Sequence, residues 1–296
     1  MGRLYDDCMV PYHISATALR PALNATLTES NHAMSNYKDI TYEVGENAVR
    51  ITINRPEVFN AFRNQTVEEL IDAFRRADEE KTVNTVIFGG AGDKAFCTGG
   101  DQKVHYSDDG LYGPRGMVGF PIEELQTAIR DCRKVVIARV QGFAIGGGNV
   151  FCTICDLTIA SEKAQFGQVG PKVGSVDPGF GTAYLARCVG EKKAREIWFL
   201  CRRYKAQEAL EMGLVNKVVP HDQLDAECEA WAAEINALSP TAIAIAKRSF
   251  NADSENIRGI SFMGVAAVKG YYQSEESKEG VKAFNEKRKP DFKKYV

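Results

Sequence analysis

Ala95-Phe96-Cys97-Thr98-Gly99-Gly100-Asp101-Gln102 and Gln141-Gly142-Phe143-Ala144-Ile145-Gly146-Gly147-Gly148-Asn149 are the two segments around which this sequence organises. Each follows a predicted strand, and the second opens a predicted helix. Glycine lets the backbone turn sharply and lets a ligand approach its N–H groups. A helix N-terminus adds unpaired donors and partial positive charge. Two such turns facing each other would aim two N–H groups at one oxygen, which suits a carbonyl oxygen that gains charge. Taken singly, each turn is equally consistent with a tight strand-to-helix connection. Neither matches G-x-x-x-x-G-K-[ST] or G-x-G-x-x-G, the phosphate-binding patterns.

Outward from these turns the pattern alternates between strand and helix. Ile40 and Tyr42, then Val49, Ile51 and Ile53, alternate with polar residues around Gly45-Glu46-Asn47, a hairpin signal. Thr66 with Glu69 reads as a capping box, and Val67, Leu70, Ile71, Phe74 and Ala77 then share one helical face. Buried strands are expected over 85–88, 135–140 and 157–160, and a helix over 122–131. Beyond Pro220 the pattern becomes helical, over 224–238, 242–250 and 262–284. Strands alternating with helices imply an α/β core. Three parts follow: a weakly ordered extension over 1–36, an α/β core over 37–219 and a helical region over 220–296. The glycine-rich segment 105–121 reads as a long loop beside the first turn, the kind that covers ligands.

Composition narrows the function. The 296 residues carry a net charge of −2, which gives no argument for a nucleic-acid surface. No apolar run reaches the roughly 18 residues that a spanning helix needs, and the N-terminus lacks a signal-peptide layout. The expectation is a cytoplasmic protein without a membrane partner. Eight cysteines in such a chain read as free thiols. Cys152 and Cys155 match C-x-x-C but stand in an apolar stretch without a second pair, so they read as buried side chains and not as a metal site.

In this order and spacing the two turns resemble the crotonase (enoyl-CoA hydratase/isomerase) superfamily, and the resemblance runs from about Tyr37 to Tyr295. It implies an α/β fold: a spiral of ββα units with a C-terminal helical trimerisation region. It further implies homotrimers, usually paired into hexamers. The substrate would be an acyl-CoA, with CoA present only as part of that thioester and no metal or redox cofactor. The oxyanion donors would be the N–H groups of Gly100 and Gly147.

Enoyl-CoA hydratases carry two glutamates that this chain lacks, since Val150 and Gly170 occupy those positions. Gly170-Pro171-Lys172-Val173-Gly174-Ser175-Val176-Asp177 instead resembles two other branches. One is the 1,4-dihydroxy-2-naphthoyl-CoA synthases and the other the 2-ketocyclohexanecarboxyl-CoA hydrolases. Both match Lys192 to Trp198 and the tail Lys287 to Phe292 as well. Val169, where bicarbonate-using synthases have Thr, and Asp177-Pro178-Gly179-Phe180 favour the hydrolase. So do Gly116 to Leu125 and Ser239 to Phe250.

The hydrolase resemblance implies Asp177 as general base, Ser175 to orient it, and Tyr272 as acid or ketone polariser. In the synthases the matching Tyr arrives from a neighbouring subunit. Tyr271 is the confusable neighbour, and His105 a second candidate to assist the water. CoA contacts are implied for Val58, Phe59, Ala61, Gln102 and Lys103, and for Phe284 and Lys287 from another subunit. The alternative activity is the synthase. A non-catalytic or RNA-binding protein on the same frame would need a basic face, which the charge does not support.

Overall fold

The computed structural model describes residues 37–107 and 121–296, within a compact unit spanning Tyr37–Val296. The expectations for residues 1–36 and for the loop over 108–120, including Gly116 to Phe120, lie outside the described residues, as does the side chain of His105.

In chain order the strands are β1 (Ile40–Val44), β2 (Val49–Ile53), β3 (Thr85–Gly90), β4 (Ala95–Cys97), β5 (Val135–Val140), β6 (Phe143–Ile145), β7 (Leu157–Ser161), β8 (Gln165–Gly167), β9 (Arg203–Lys205) and β10 (Lys217–Val219). The helices are α1 (Asn64–Glu79), α2 (Gln102–Ser107), α3 (Ile122–Asp131), α4 (Gly147–Ile154), α5 (Gly170–Val173), α6 (Leu185–Val189), α7 (Glu191–Leu200), α8 (Ala206–Glu211), α9 (Leu224–Asn236), α10 (Pro240–Asp253), α11 (Glu255–Tyr272) and α12 (Glu275–Asn285). One sheet runs β1-β2-β3-β5-β7-β10 and the other β4-β6-β8-β9.

The arrangement repeats a ββα unit. A long strand enters the first sheet, a three-residue strand enters the second, and a helix follows. β3-β4-α2, β5-β6-α4 and β7-β8-α5 are the successive turns of this spiral. The long strands are apolar on both faces because both faces are covered. Val86, Phe88, Val136 and Ala138 share one core cluster with apolar residues of α1 and α3, and Ile87, Ile137 and Ile159 share another with α9. The hairpin forms in the expected register, with Ile40 opposite Ile53 and Val44 opposite Val49.

One local expectation is corrected. α1 begins at Asn64, so Thr66 is its third residue and not its cap. Thr66 Oγ1 accepts the Arg63 N–H at 3.1 Å and donates to Asp39 Oδ2 at 2.6 Å. Glu69 instead accepts the N–H groups of Lys38 and Asp39 at 3.0 and 2.9 Å. The reason is the buried Asp39, which needs donors. Burial raises its carboxyl, but hydrogen bonds from Arg63 and Thr66 outweigh that and hold it below the usual range.

The C-terminal helices pack back onto the spiral. α9 lays Leu224, Cys228 and Ala232 on the first sheet. Ser277 of α12 donates to the Gly174 carbonyl at 2.6 Å, just past α5. α11 crosses the loop that carries Asp177. A Cβ added at Gly264 would lie 2.4 Å from Cβ and Cγ of Pro178, so the missing side chain sets how closely the helix seats. Gly264→Val is therefore expected to cost about 1–3 kcal/mol of stability, the usual overpacking range. A urea midpoint unchanged from the parent protein would remove this contact from the account.

Candidate functional site

β4 and β6 are neighbours and parallel, with Cys97 opposite Ala144, so the two glycine turns leave the sheet side by side. Gly99 and Gly146 hold φ of 87° and 58°, which side chains rarely adopt. A Cβ added at Gly147 would lie 3.3 Å from Gly99 Cα and 2.6 Å from the Phe62 ring. At Gly148 it would lie 2.0 Å from the Cys97 carbonyl oxygen. The two turns therefore touch, and only glycine fits the junction.

Gly147 is the first residue of α4, where N–H groups have no intrahelical acceptor. At Gly100 the flanking groups are used: Phe62 N–H donates to Gly99 O, and Asp101 N–H donates to Phe62 O, each at 2.9 Å. Among the described residues, neither the Gly100 nor the Gly147 N–H makes a hydrogen bond. Both residues line one cavity of about 120 Å³, with Phe62, Gln168, Trp198, Asp177, Lys269 and Tyr272 also on its wall.

Buried polar groups fix the first turn. Arg55 donates to Asp101 Oδ2 at 3.0 Å and to the Ala61 carbonyl. Asn60 and Gln141 donate to the Ala95 carbonyl at 2.7 and 2.6 Å. An aromatic series, Phe74–Phe88–Phe151–Phe62, runs from the core to the cavity wall at centroid spacings of 5.3, 5.7 and 5.5 Å.

The cavity's carboxylate is Asp177. The Gly181 N–H donates to Oδ1 at 3.1 Å and Gln126 Nε2 to Oδ2 at 3.0 Å. Burial pushes the carboxyl up to about 6, against the pull of these two donors. Trp198 Nε1 donates to the Gly181 carbonyl at 2.5 Å, which steadies the turn that supplies the backbone donor.

Ser175 does not orient Asp177, contrary to expectation. Its hydroxyl shares a 2.7 Å hydrogen bond with the Tyr272 hydroxyl, because α11 ends beside it, and Gln126 with Gly181 holds the carboxylate instead. Tyr272 lines the cavity from α11 of its own chain. Burial pushes its hydroxyl up to about 12, with the Asp177 charge adding and the Ser175 bond opposing. Tyr271, beside it, does not line the cavity.

The positions of the absent glutamates have structural reasons. Val150 is fully buried in the core. A Cβ at Gly170 would lie 2.4 Å from the Ser175 carbonyl oxygen and 2.9 Å from the Trp198 ring, so no side chain fits there.

Of the residues expected to meet CoA, Gln102 lines the cavity. Val58, Phe59 and Ala61 lie on a neighbouring loop that the cavity residue Thr98 holds by a 3.2 Å bond to the Phe59 carbonyl. Lys103 is exposed on α2. Phe284 is exposed on α12, Lys287 follows it, and α12 packs against α2 of the same chain. Neither lines the cavity. Cys152 and Cys155 are free and buried, and burial raises both thiols. Among the described residues no group of three or more His, Cys, Asp or Glu side chains is placed to hold a metal ion. No described helix is long and apolar enough to cross a membrane.

The sequence profile of the family described as enoyl-CoA hydratase/isomerase matches residues 43–295. The chain belongs to this family. Its crotonase superfamily processes acyl-CoA thioesters. Solved structures agree. An enoyl-CoA hydratase/isomerase from Pseudoalteromonas atlantica T6c superposes with a TM-score of 0.77 at 29% identity, covering 86% of this chain and 100% of that one. An enoyl-CoA hydratase from Mycobacterium avium subsp. paratuberculosis K-10 gives 0.75 at 28%, covering 86% and 98%. A carnitinyl-CoA hydratase from Mycobacterium avium gives 0.74 at 30%, covering 86% and 98%.

Sequence reasoning missed Gln126, Gln168 and Lys269, and it quoted Trp198 without a role. Gln126 had a signal: it interrupts the apolar face of α3 between Leu125 and Ile129, and a buried amide needs partners.

The Asp177 environment makes a stability prediction. An unfolded aspartate titrates near pKa 3.9, and the folded carboxyl near 6. The folded state thus holds the proton more tightly, so ionisation costs stability as pH rises through that window. Asp177→Asn is expected to raise Tm relative to the parent at pH 8, with the gain shrinking toward pH 4. A gain that is the same at both pH values would contradict the raised pKa.

Proposed function

We propose that this enzyme opens a ring in a cyclic β-ketoacyl-CoA by adding water and breaking a C–C bond, as in 2-ketocyclohexane-1-carboxyl-CoA to pimeloyl-CoA. The observation that carries this reading is the Asp177 carboxylate on the wall of the glycine-turn cavity. The two positions that serve hydration in enoyl-CoA hydratases hold Val150 and Gly170, which cannot move a proton.

The thioester oxygen sits against the N–H groups of Gly100 and Gly147. Asp177 takes a proton from water as its oxygen attacks the ring ketone. A carboxyl near 6 is a stronger base than an ordinary aspartate yet remains mostly ionised at neutral pH. The tetrahedral alkoxide collapses, the bond between ketone carbon and α-carbon breaks, and its electron pair enters the thioester enolate. The two N–H groups hold that charge, and losing either is worth about 2.7–4 kcal/mol of barrier. Tyr272 gives the α-carbon its proton, and Ser175 connects its hydroxyl to a replacement. One water is consumed: one C–O and one C–H bond replace one ring C–C bond and one O–H bond of water, and the proton that Asp177 takes matches the one that Tyr272 gives up.

CoA lies toward Val58, Phe59, Ala61, Gln102 and Lys103. The region over 220–296 builds trimers, paired into hexamers, and contributes Phe284 and Lys287 to the nucleotide. Support for an assembly comes from large apolar side chains left exposed on α10 and α11: Ile245, Phe250, Phe262 and Met263.

The protein is incubated with 2-ketocyclohexane-1-carboxyl-CoA and with o-succinylbenzoyl-CoA, and the products are weighed by mass spectrometry. The first is expected to gain one water; conversion of the second to a naphthoyl-CoA would replace this reading with the synthase. Asp177→Asn is expected to lose roughly 10²–10⁴ in kcat, the contribution of a positioned acid–base group, while still binding CoA ligands. For the parent protein kcat/KM should fall tenfold per pH unit below about 6. A flat profile between pH 5 and 8 would take the base role from Asp177.

A further inference from the structure

We propose that Lys269 forms a subsite for the anionic oxygen at the far end of the acyl group, so that the cavity selects ω-carboxyacyl-CoA products. The inference rests on the ring-opening reading and names the part of the substrate that this reading leaves unheld. Val265, Val268, Lys269 and Tyr272 all line the cavity from α11. Their spacing of three, four and seven residues puts them on one helical face. That face offers two apolar side chains, a hydroxyl and one ammonium group.

Lys269 is the one basic side chain on the cavity wall among the described residues. Its side chain is half-buried, and Asp177 is the one acidic side chain among the other described residues of that wall. Among the described residues Lys269 makes no hydrogen bond, and no carboxylate lies within the 4.0 Å of an ion pair. The acidic group that feels its charge is Glu123 on α3, a half-buried side chain outside the cavity wall. Among the described residues the cavity thus holds a cation without a hydrogen bond or ion pair.

Ring opening creates negative charge in two places. The thioester enolate falls to the two glycine N–H groups. The former ketone carbon becomes first an alkoxide and then, once its acid proton is lost, a carboxylate, on the Asp177 side of the cavity. No N–H group has been assigned to that second charge. A flexible ammonium one helical turn from Tyr272 can reach into the same space and offset it. CoA phosphates are the other anions available to Lys269, so the test keeps CoA constant.

Binding of pimeloyl-CoA and heptanoyl-CoA is measured by calorimetry on the whole protein, on Lys269→Met and on Lys269→Arg. The two ligands share CoA and chain length and differ by the terminal carboxylate. The parent protein is expected to prefer pimeloyl-CoA by roughly tenfold or more, the effect of one hydrogen bond to a charged group. Lys269→Met should bring the ratio close to one without weakening heptanoyl-CoA, and Lys269→Arg should restore much of it. The proposal is overturned by a parent protein without preference, by a preference that survives Lys269→Met, or by equal weakening of both ligands, which would assign Lys269 to the CoA phosphates. Because binding is read without turnover, a protein that keeps the preference but never opens the ring would sink the ring-opening reading alone.

Discussion

An alanine methyl is already too large for the junction between the two glycine turns, and the rest of the molecule is arranged around that contact. β4 and β6 pair in parallel, so the two turns leave the sheet one strand spacing apart. With any Cβ at residue 148 the Cys97 carbonyl would have to retreat. Moving it would shift β4 and the Gly100 amide with it. The buried side chains Asn60 and Gln141 hold Ala95 of the same strand, and Arg55 holds Asp101 just past the turn. These groups are costly to bury singly, but each is satisfied here, which makes the position of the turn stiff.

The second constraint is electrostatic. The helix crossing over Asp177 removes water from its carboxylate, and two donors return only part of what is lost. The same burial keeps Tyr272 protonated. One piece of packing, α11 on the Pro178 loop, thereby pushes both groups up, the carboxyl toward neutral pH and the phenol further from it. The carboxyl can thus take a proton near neutral pH, while the phenol there still carries one.

Much of this was legible in the chain before any coordinates. The hairpin, α3 and β5 follow from apolar periodicity, and the glycine turns from their composition. The strands of the second sheet were not legible, because three residues cannot display an alternation. Yet these strands bring the turns together, so their adjacency rested on family resemblance alone. The start of α1 was misplaced because Thr66 serves the buried Asp39, a partner 27 residues away. The Ser175–Tyr272 bond spans 97 residues and has no local signature. Gln126 is intermediate: an amide on an apolar helical face announces a buried partner, but not which one.

Asp177, Ser175, Tyr272 and Lys269 reach their cavity from one polypeptide. Each copy of the chain therefore carries these four groups itself.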